Sequence, residues 1–344
     1  MTIREGLTYD DVLLSPVYST IQHRDEQNID LRVNIVCDVA DIIFDHPIVP
    51  ANMEDVAGPI LLSRQVESGG LALMHRFQSV EAQIETFKAL GEEPVIGASI
   101  GVQWEDQEAA EKLCAAGIGI ICVDIAHGDH SLAERMVSFL HRMDSTKRPI
   151  IIAGNVATKG GAKRLWEAGA DIVKVGVGPG SLCTTRIETG CGVPQLTAIM
   201  DVAEVREEYF PCNGIIADGG IKNAGDCVKA LCFADMVMVG NLFAGTNESP
   251  GARLARLEES TQKRYRGSST HKTSHVEGVQ AWVKASGPFD DVLYRLLEGI
   301  RSGCSYQGSE NLEQLKEGPE LIRITSAGLR ESYPHDVHVI PEKG

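Results

Sequence analysis

The sequence predicts an α/β fold, a closed (β/α)8 TIM barrel, and three of its features carry that expectation. Short runs rich in Val and Ile recur from about residue 47, apolar enough to be strands buried on both faces. Most of them are followed by a stretch with helical spacing, so the strands should be parallel and joined by right-handed crossovers. Glycines and polar residues then reappear after many of the runs. An open doubly wound sheet would gather them at one switch point, whereas a barrel uses all of its strand ends.

In chain order, Thr8-Tyr-Asp-Asp-Val-Leu-Leu-Ser-Pro16 reads as an N-terminal extension packed on the main body. The first strand is Ile48 to Met53, followed by a helix over Ile60 to Ser68. Leu71 to His75 is the second, with a helix from Val80 to Leu90, and Val95 to Ile100 the third, with a helix from Gln107 to Ala116. Gly119 to Ile125 and Pro149 to Asn155 are the fourth and fifth, with helices over Ser131 to Arg142 and Lys163 to Ala168. Asp171 to Val177 is the sixth, Gly214 to Gly220 the seventh and Met236 to Gly240 the eighth. A chain of 344 residues has room for one large domain or two ordinary ones. No linker or low-complexity segment divides it, so one domain over residues 1–344, with an N-terminal extension and a C-terminal tail, is expected.

Hydrophobic residues at 43% and charged residues at 23% fit a globular protein with a sizeable core. The net charge of −16 argues against a nucleic-acid partner, since no basic excess is available to displace counterions. It does not argue against small phosphorylated ligands, which local backbone dipoles can hold. Nine scattered cysteines, with no CxxC pair and no secretion signal ahead of them, read as free thiols in a reducing compartment. No apolar run approaches a membrane span, so a cytoplasmic protein with no membrane partner is expected.

The stretch that focuses these expectations on one place is Val173-Lys-Val-Gly-Val-Gly-Pro-Gly-Ser-Leu-Cys-Thr-Thr-Arg186. A Val-rich strand breaks into Gly176, Gly178, Pro179 and Gly180, where the backbone must turn sharply. Cys183 follows. A lone cysteine is most often a buried structural residue, but one on a Gly-rich loop at a strand end is placed to act as a nucleophile. In a barrel the strand ends converge, bringing Asn52, Met53, His75, Arg76, Asp124, Asn155, Ser181, Cys183, Asp218, Gly219, Gly220 and Gly240 to one mouth. The glycine loops after strands seven and eight suit a phosphate held by backbone N–H groups, while a carboxylate at Asp218 can accept hydrogen bonds from ribose hydroxyls. Singly, each of these could be a turn or cap residue. His127, Asp129 and His130 have no metal-site spacing and read as a polar loop.

The loop Gly178-Pro-Gly-Ser-Leu-Cys-Thr-Thr-Arg186, together with Ile216-Ala-Asp-Gly-Gly-Ile221, resembles the IMP dehydrogenase and GMP reductase family. The likeness extends to Gly6-Leu-Thr-Tyr-Asp-Asp-Val-Leu-Leu14, Asp124-Ile-Ala-His-Gly128, Ala153-Gly-Asn-Val156 and Ser326-Ala-Gly-Leu-Arg-Glu-Ser332. The resemblance implies a purine nucleoside monophosphate whose phosphate lies at Ser181, Gly220 and Gly240, with Asp218 on the ribose and Gly219, Asn241, Gly267 and Ser268 also on the substrate. It implies that Cys183 adds to C2 of the base, that Asp124 and Asn155 lie near a nicotinamide cofactor, and that the carbonyls of Gly178, Gly180 and Cys183 can hold potassium. A homotetramer is implied as well. The chain departs from its relatives at Asn241, where many have serine, and at Glu54, where Asp is more usual. It also runs from Arg76 to Ile100 without the regulatory insertion that dehydrogenases usually carry.

Family dehydrogenases hydrolyse the adduct with water activated by an Arg-Tyr pair on a long flap. Reductases expel ammonia and use a Thr and a Glu for its protons. Here the flap segment from Tyr265 to Val279 is short and has no arginine between Arg266 and Arg295. Arg264-Tyr265 precedes the Arg-Gly-Ser segment and reads as a strand or turn pair, while Thr185 and Glu277 stand where a reductase needs them. The expectation is therefore a GMP reductase using NADPH. IMP dehydrogenase with NAD is the alternative, supported by the tail Ala327 to Asp336, and a catalytically silent nucleotide sensor is the third.

Overall fold

Eight parallel strands form one sheet that curls into a barrel, in a computed structural model that describes residues 3–37, 39–144, 148–253, 262–266 and 278–337. They are β1 (Ile48–Pro50), β2 (Ala72–Met74), β3 (Ile96–Ile100), β4 (Ile120–Asp124), β5 (Ile150–Val156), β6 (Ile172–Val175), β7 (Gly214–Asp218) and β8 (Met236–Val239). The ladder runs without a break from β2 through β8 to β1, as in Ile48 opposite Val237 and Ile216 opposite Met236. β1 and β2 pack side by side at the seam. All eight predicted strands are present, and their residues are buried almost throughout because helices cover the outer face and packed side chains fill the inner one.

The helices behind the strands are α1 (Pro59–Glu67), α2 (Val80–Ala89), α3 (Trp104–Ala115), α4 (Ser131–His141), α5 (Lys159–Glu167), α6 (Gln195–Tyr209), α7 (Ala224–Leu231) and α8 (Phe289–Tyr306). Local chemistry sets where several begin. Pro59 opens α1, and the side chains of Ser79, Thr158 and Asn223 accept from Ala82, Gly161 and Asp226 N–H groups to cap α2, α5 and α7. Thr158 therefore starts α5 four residues earlier than Lys163, the start expected from apolar spacing alone. Only α2 lies between β2 and β3.

Three additions dress the barrel. The strands Val33–Val36 and Asp41–Phe44 pair antiparallel, and Ile35 approaches Gly214 at the start of β7, so this hairpin covers the N-terminal floor. Val12–Leu14 pairs antiparallel with Leu321–Arg323, tying the N-terminal extension to the tail. Gln262–Arg266 pairs with Gln280–Lys284, which puts Arg264 and Tyr265 in a strand as expected.

Candidate active site

The sixth strand delivers Cys183 to the open end of the barrel. Beyond Val175 the chain turns at Gly176 and Gly178, the latter with φ +88, and a side chain on Gly176 would collide with the Asp218 carbonyl at the end of β7. The loop is thus pressed against the neighbouring strand end, which only glycine allows. Cys183 N–H donates to Gly180 O at 3.0 Å, closing the turn, and the thiol donates to the Thr185 hydroxyl at 3.2 Å. Thr185 begins the short helix Thr185–Thr189. Cys183 is half-buried on the cavity wall, and all nine cysteines are unpaired. Burial pushes Cys114 up to about 11 and Cys122, Cys232 and Cys304 up to about 12, so these thiols stay protonated and inert at neutral pH.

Beneath the loop lies a polar network centred on Lys174, only 1% exposed inside the barrel. Its ammonium donates to Asp124 Oδ1 at 2.7 Å, to Asn52 Oδ1 at 3.3 Å and to Asp218 Oδ2 at 3.4 Å. Asn155 Nδ2 donates to the same Asp218 Oδ2 at 2.8 Å and to Gly176 O at 2.9 Å. Gly154 makes room for this side chain, since a Cβ there would lie 2.6 Å from that of Lys174. Burial alone would lower the Lys174 pKa, but Asp124 and then Asp218 outweigh it, and the ammonium sits above the ordinary lysine range. Asp124, Asn155 and Asp218, predicted separately, are therefore parts of one connected set.

Two adjoining cavities open at this end. The first is lined by Asp124, Asn155, Gly178, Gly180, Ser181, Cys183, Thr185, Asp218 and Gly219, with Phe77, Ile125 and Ala126 as an apolar wall. The second shares Ser181, Asp218 and Gly219 and adds Gly220, Gly240 and Asn241. Gly219 and Gly220 have φ +97 and +82, conformations that L side chains rarely adopt. Asn241 begins a short helix, Asn241–Ala244, directly after β8. The Tyr265 hydroxyl lies over Gly240, leaving no space for a side chain there, and reaches Met53 Sδ at 3.4 Å.

His75 and Arg76 do not join these residues, contrary to the sequence expectation. β2 ends at Met74, and the His75 ring accepts from Phe77 N–H at 3.2 Å, so Phe77 reaches the cavity in their place. Arg76 lies against the Phe77 ring, its guanidinium 4.6 Å from the centroid. Asp129 pairs with Arg164 and His130 caps α4, and among the described residues no group of His, Cys, Asp or Glu could hold a metal ion. Gly267, Ser268 and Glu277, with His271, Lys272 and His275, lie outside the described residues.

Sequence reasoning missed Lys174, Gln195, Tyr9 and the contact of Tyr265 with Gly240. Lys174 had a signal, a charged residue in an otherwise apolar Val run. Gln195 Nε2 donates to Val175 O at 2.7 Å and Asp218 O at 3.2 Å, fastening α6 to the ends of β6 and β7. Tyr9, 2% exposed, lies under Gly220, where a Cβ would be 3.3 Å from its ring.

The family model described as the IMP dehydrogenase / GMP reductase domain matches residues 6–335. The inosine-5'-monophosphate dehydrogenase of Chlorobaculum parvum is 41% identical over 268 residues, covering 72% of this chain and 53% of that protein. The one from Halalkalibacterium halodurans is 40% identical over 299 residues, covering 80% of this chain and 60% of that protein. The chain thus spans about half to three fifths of the length of these curated relatives. Among solved structures, a GMP reductase from Trypanosoma brucei in complex with guanosine 5'-monophosphate superimposes with a TM-score of 0.86 at 27% identity, covering 98% of this chain and 99% of that one. With the barrel, the cysteine loop and a match over nearly its whole length, this chain belongs to the IMP dehydrogenase / GMP reductase family.

Proposed function

We propose that the chain is a GMP reductase, converting GMP to IMP and ammonia at the expense of NADPH. The observation that carries this reading is the Cys183 thiol 3.2 Å from the Thr185 hydroxyl, both on the wall of one cavity. The Cys183 thiolate adds to C2 of the guanine ring. The 2-amino group then takes up a proton and leaves as ammonia, with Thr185 and Glu277 as the groups that handle its protons. A bound NADPH would supply the hydride to C2, and Cys183 would be restored as thiolate when its bond to that carbon breaks.

The remaining roles follow from donor and acceptor chemistry. Asp218 accepts from the ribose hydroxyls, oriented by Asn155 and Lys174. The backbone at Gly220 and Gly240, with Ser181, receives the phosphate, and Gly219, Asn241, Gly267 and Ser268 complete the substrate-binding set. The nicotinamide fits the first cavity, where Phe77, Ile125 and Ala126 offer an apolar wall beside Cys183 and where Asp124 and Asn155 supply polar atoms. The carbonyls of Gly178, Gly180 and Cys183 are a neutral oxygen set of the kind that suits potassium or another monovalent ion. A cytoplasmic homotetramer of one-domain subunits completes the proposal.

The dehydrogenase names of the sequence relatives favour a second reading, oxidation of IMP with NAD. The two are separated by supplying GMP with NADPH, or IMP with NAD and potassium, and following nicotinamide absorbance. Oxidation of NADPH with GMP supports the reductase. NADH formation from IMP with no reaction of GMP overturns it.

A further inference from the structure

Lys263 is 2% exposed on the strand Gln262–Arg266, yet its ammonium meets no carboxylate among the described residues. Three neutral oxygens surround it instead: Thr246 O and Ser249 O at 2.6 Å and Ser249 Oγ at 2.8 Å. Three donors thereby meet three acceptors, which satisfies a buried ammonium without an ion pair. Burial, and then the nearby Arg253, lower the Lys263 pKa, as expected where no counter-charge is bound.

The place of this clasp suggests its purpose. Burial alternates along the strand, so Lys263 and Tyr265 share its inward face. Tyr265 rests on Gly240, immediately before the short helix Asn241–Ala244, while Lys263 grips Thr246 and Ser249 just beyond its end. Ser249 Oγ also donates to Ala244 O at 2.7 Å, so the clasp is built onto the last residue of that helix. One strand is thus fastened across both ends of one helix, and a slip of one residue would turn both side chains away.

We propose that Lys263 is a positioning residue for the nucleotide site, its ammonium clasp on the turn from Thr246 to Ser249 holding Tyr265 in register over Gly240. The inference rests on the reading that this cavity takes a purine nucleoside monophosphate. Lys263→Met keeps the bulk and removes the charge, so Ser249 O loses the ammonium donor and Thr246 O keeps only the Ser249 hydroxyl. Ser249→Ala removes one acceptor and disturbs the fold less.

The test is a calorimetric titration of GMP and of IMP into the full chain, its Lys263→Met, Ser249→Ala and Tyr265→Phe variants, and the Lys263→Met/Tyr265→Phe double variant, with circular dichroism as the check on folding. Lys263→Met is expected to weaken nucleotide binding by about tenfold or more, with Ser249→Ala shifted less in the same direction. Turnover should show a raised KM with kcat within about threefold of the parent, the pattern of lost uniform binding. Since the clasp acts through Tyr265, the double variant should bind no more weakly than Tyr265→Phe alone. A folded Lys263→Met variant with parental affinity overturns the proposal, as do losses that simply add. Should Lys263→Met fail to fold, Ser249→Ala and its combination with Tyr265→Phe decide by the same criterion. A parent that binds neither GMP nor IMP overturns the functional reading and this proposal together, whereas a parent that binds beside an unaffected variant overturns the proposal alone.

Discussion

Cys183 and Lys174 sit nine residues apart in the chain and have opposite characters. The cysteine stands at the cavity wall with a hydroxyl beside its sulfur, while the lysine is sealed beneath it between two carboxylates. Cys183→Ala should bind GMP with an affinity close to the parent's and turn nothing over, because only the bond-forming atom is lost. Turnover within a few-fold of the parent would remove Cys183 from the mechanism. Lys174→Met should be costly in another way. It leaves Asp124 and Asp218 facing each other without their counter-ion, a loss of about 3–5 kcal/mol for a broken buried pair, read as a lower denaturant midpoint. Because the folded pKa of Lys174 is raised, its stabilisation is complete below the ordinary value of 10.5 and fades only at higher pH. Cys183 was legible in the sequence because its signal is local: glycines, then a nucleophile. Lys174 was not, since the Val residues around it describe only a strand, and its three partners come from the loop after β1 and the ends of β4 and β7.

At the scale of elements, the strand-and-helix alternation was readable almost throughout, because buried parallel strands need unbroken apolar runs and caps punctuate the helices between them. What spacing could not reveal was which distant segments close over the mouth. Tyr9 comes from the N-terminal extension and Tyr265 from a hairpin late in the chain, and neither belongs to a βα unit. His75 and Arg76 were misplaced for a related reason. A strand's last residue cannot be fixed by composition, and β2 ends at Met74, one residue before the predicted end at His75. Two consequences follow for the loop after β7. Gly220→Val puts a β-branched residue at φ +82 and brings its Cβ to 3.3 Å from the Tyr9 ring, so the loop must shift. The strain is about 1–3 kcal/mol, and calorimetry should show weaker GMP binding in a variant that still folds. Tyr9→Ala removes the support beneath the same loop and opens a cavity. A destabilisation of about 3–5 kcal/mol is expected by analogy with other large aromatic truncations, with a loss of nucleotide affinity alongside it.

Taken whole, the molecule is a barrel whose floor is closed by a hairpin and whose mouth holds two adjoining cavities, and its acid sensitivity should reflect the former end. His46 lies between the floor strand Asp41–Phe44 and β1, and burial lowers its pKa from 6.5 to about 4. A histidine kept neutral in the folded state stabilises fully above 6.5 and progressively less as the pH falls toward 4. The loss across that window is roughly 3 kcal/mol, and replacing His46 with glutamine should flatten the corresponding slope in urea midpoints measured from pH 7 to pH 4. The central claim concerns the other end: that one barrel mouth brings Cys183 to a purine nucleotide and removes its amino group. The most direct measurement is ammonia released from GMP in the presence of NADPH, by the parent chain and by Cys183→Ala. The account predicts one ammonia and one IMP for each NADPH oxidised by the parent and none from the variant. Ammonia released without NADPH beyond one per active site, or equal release from both proteins, would contradict it.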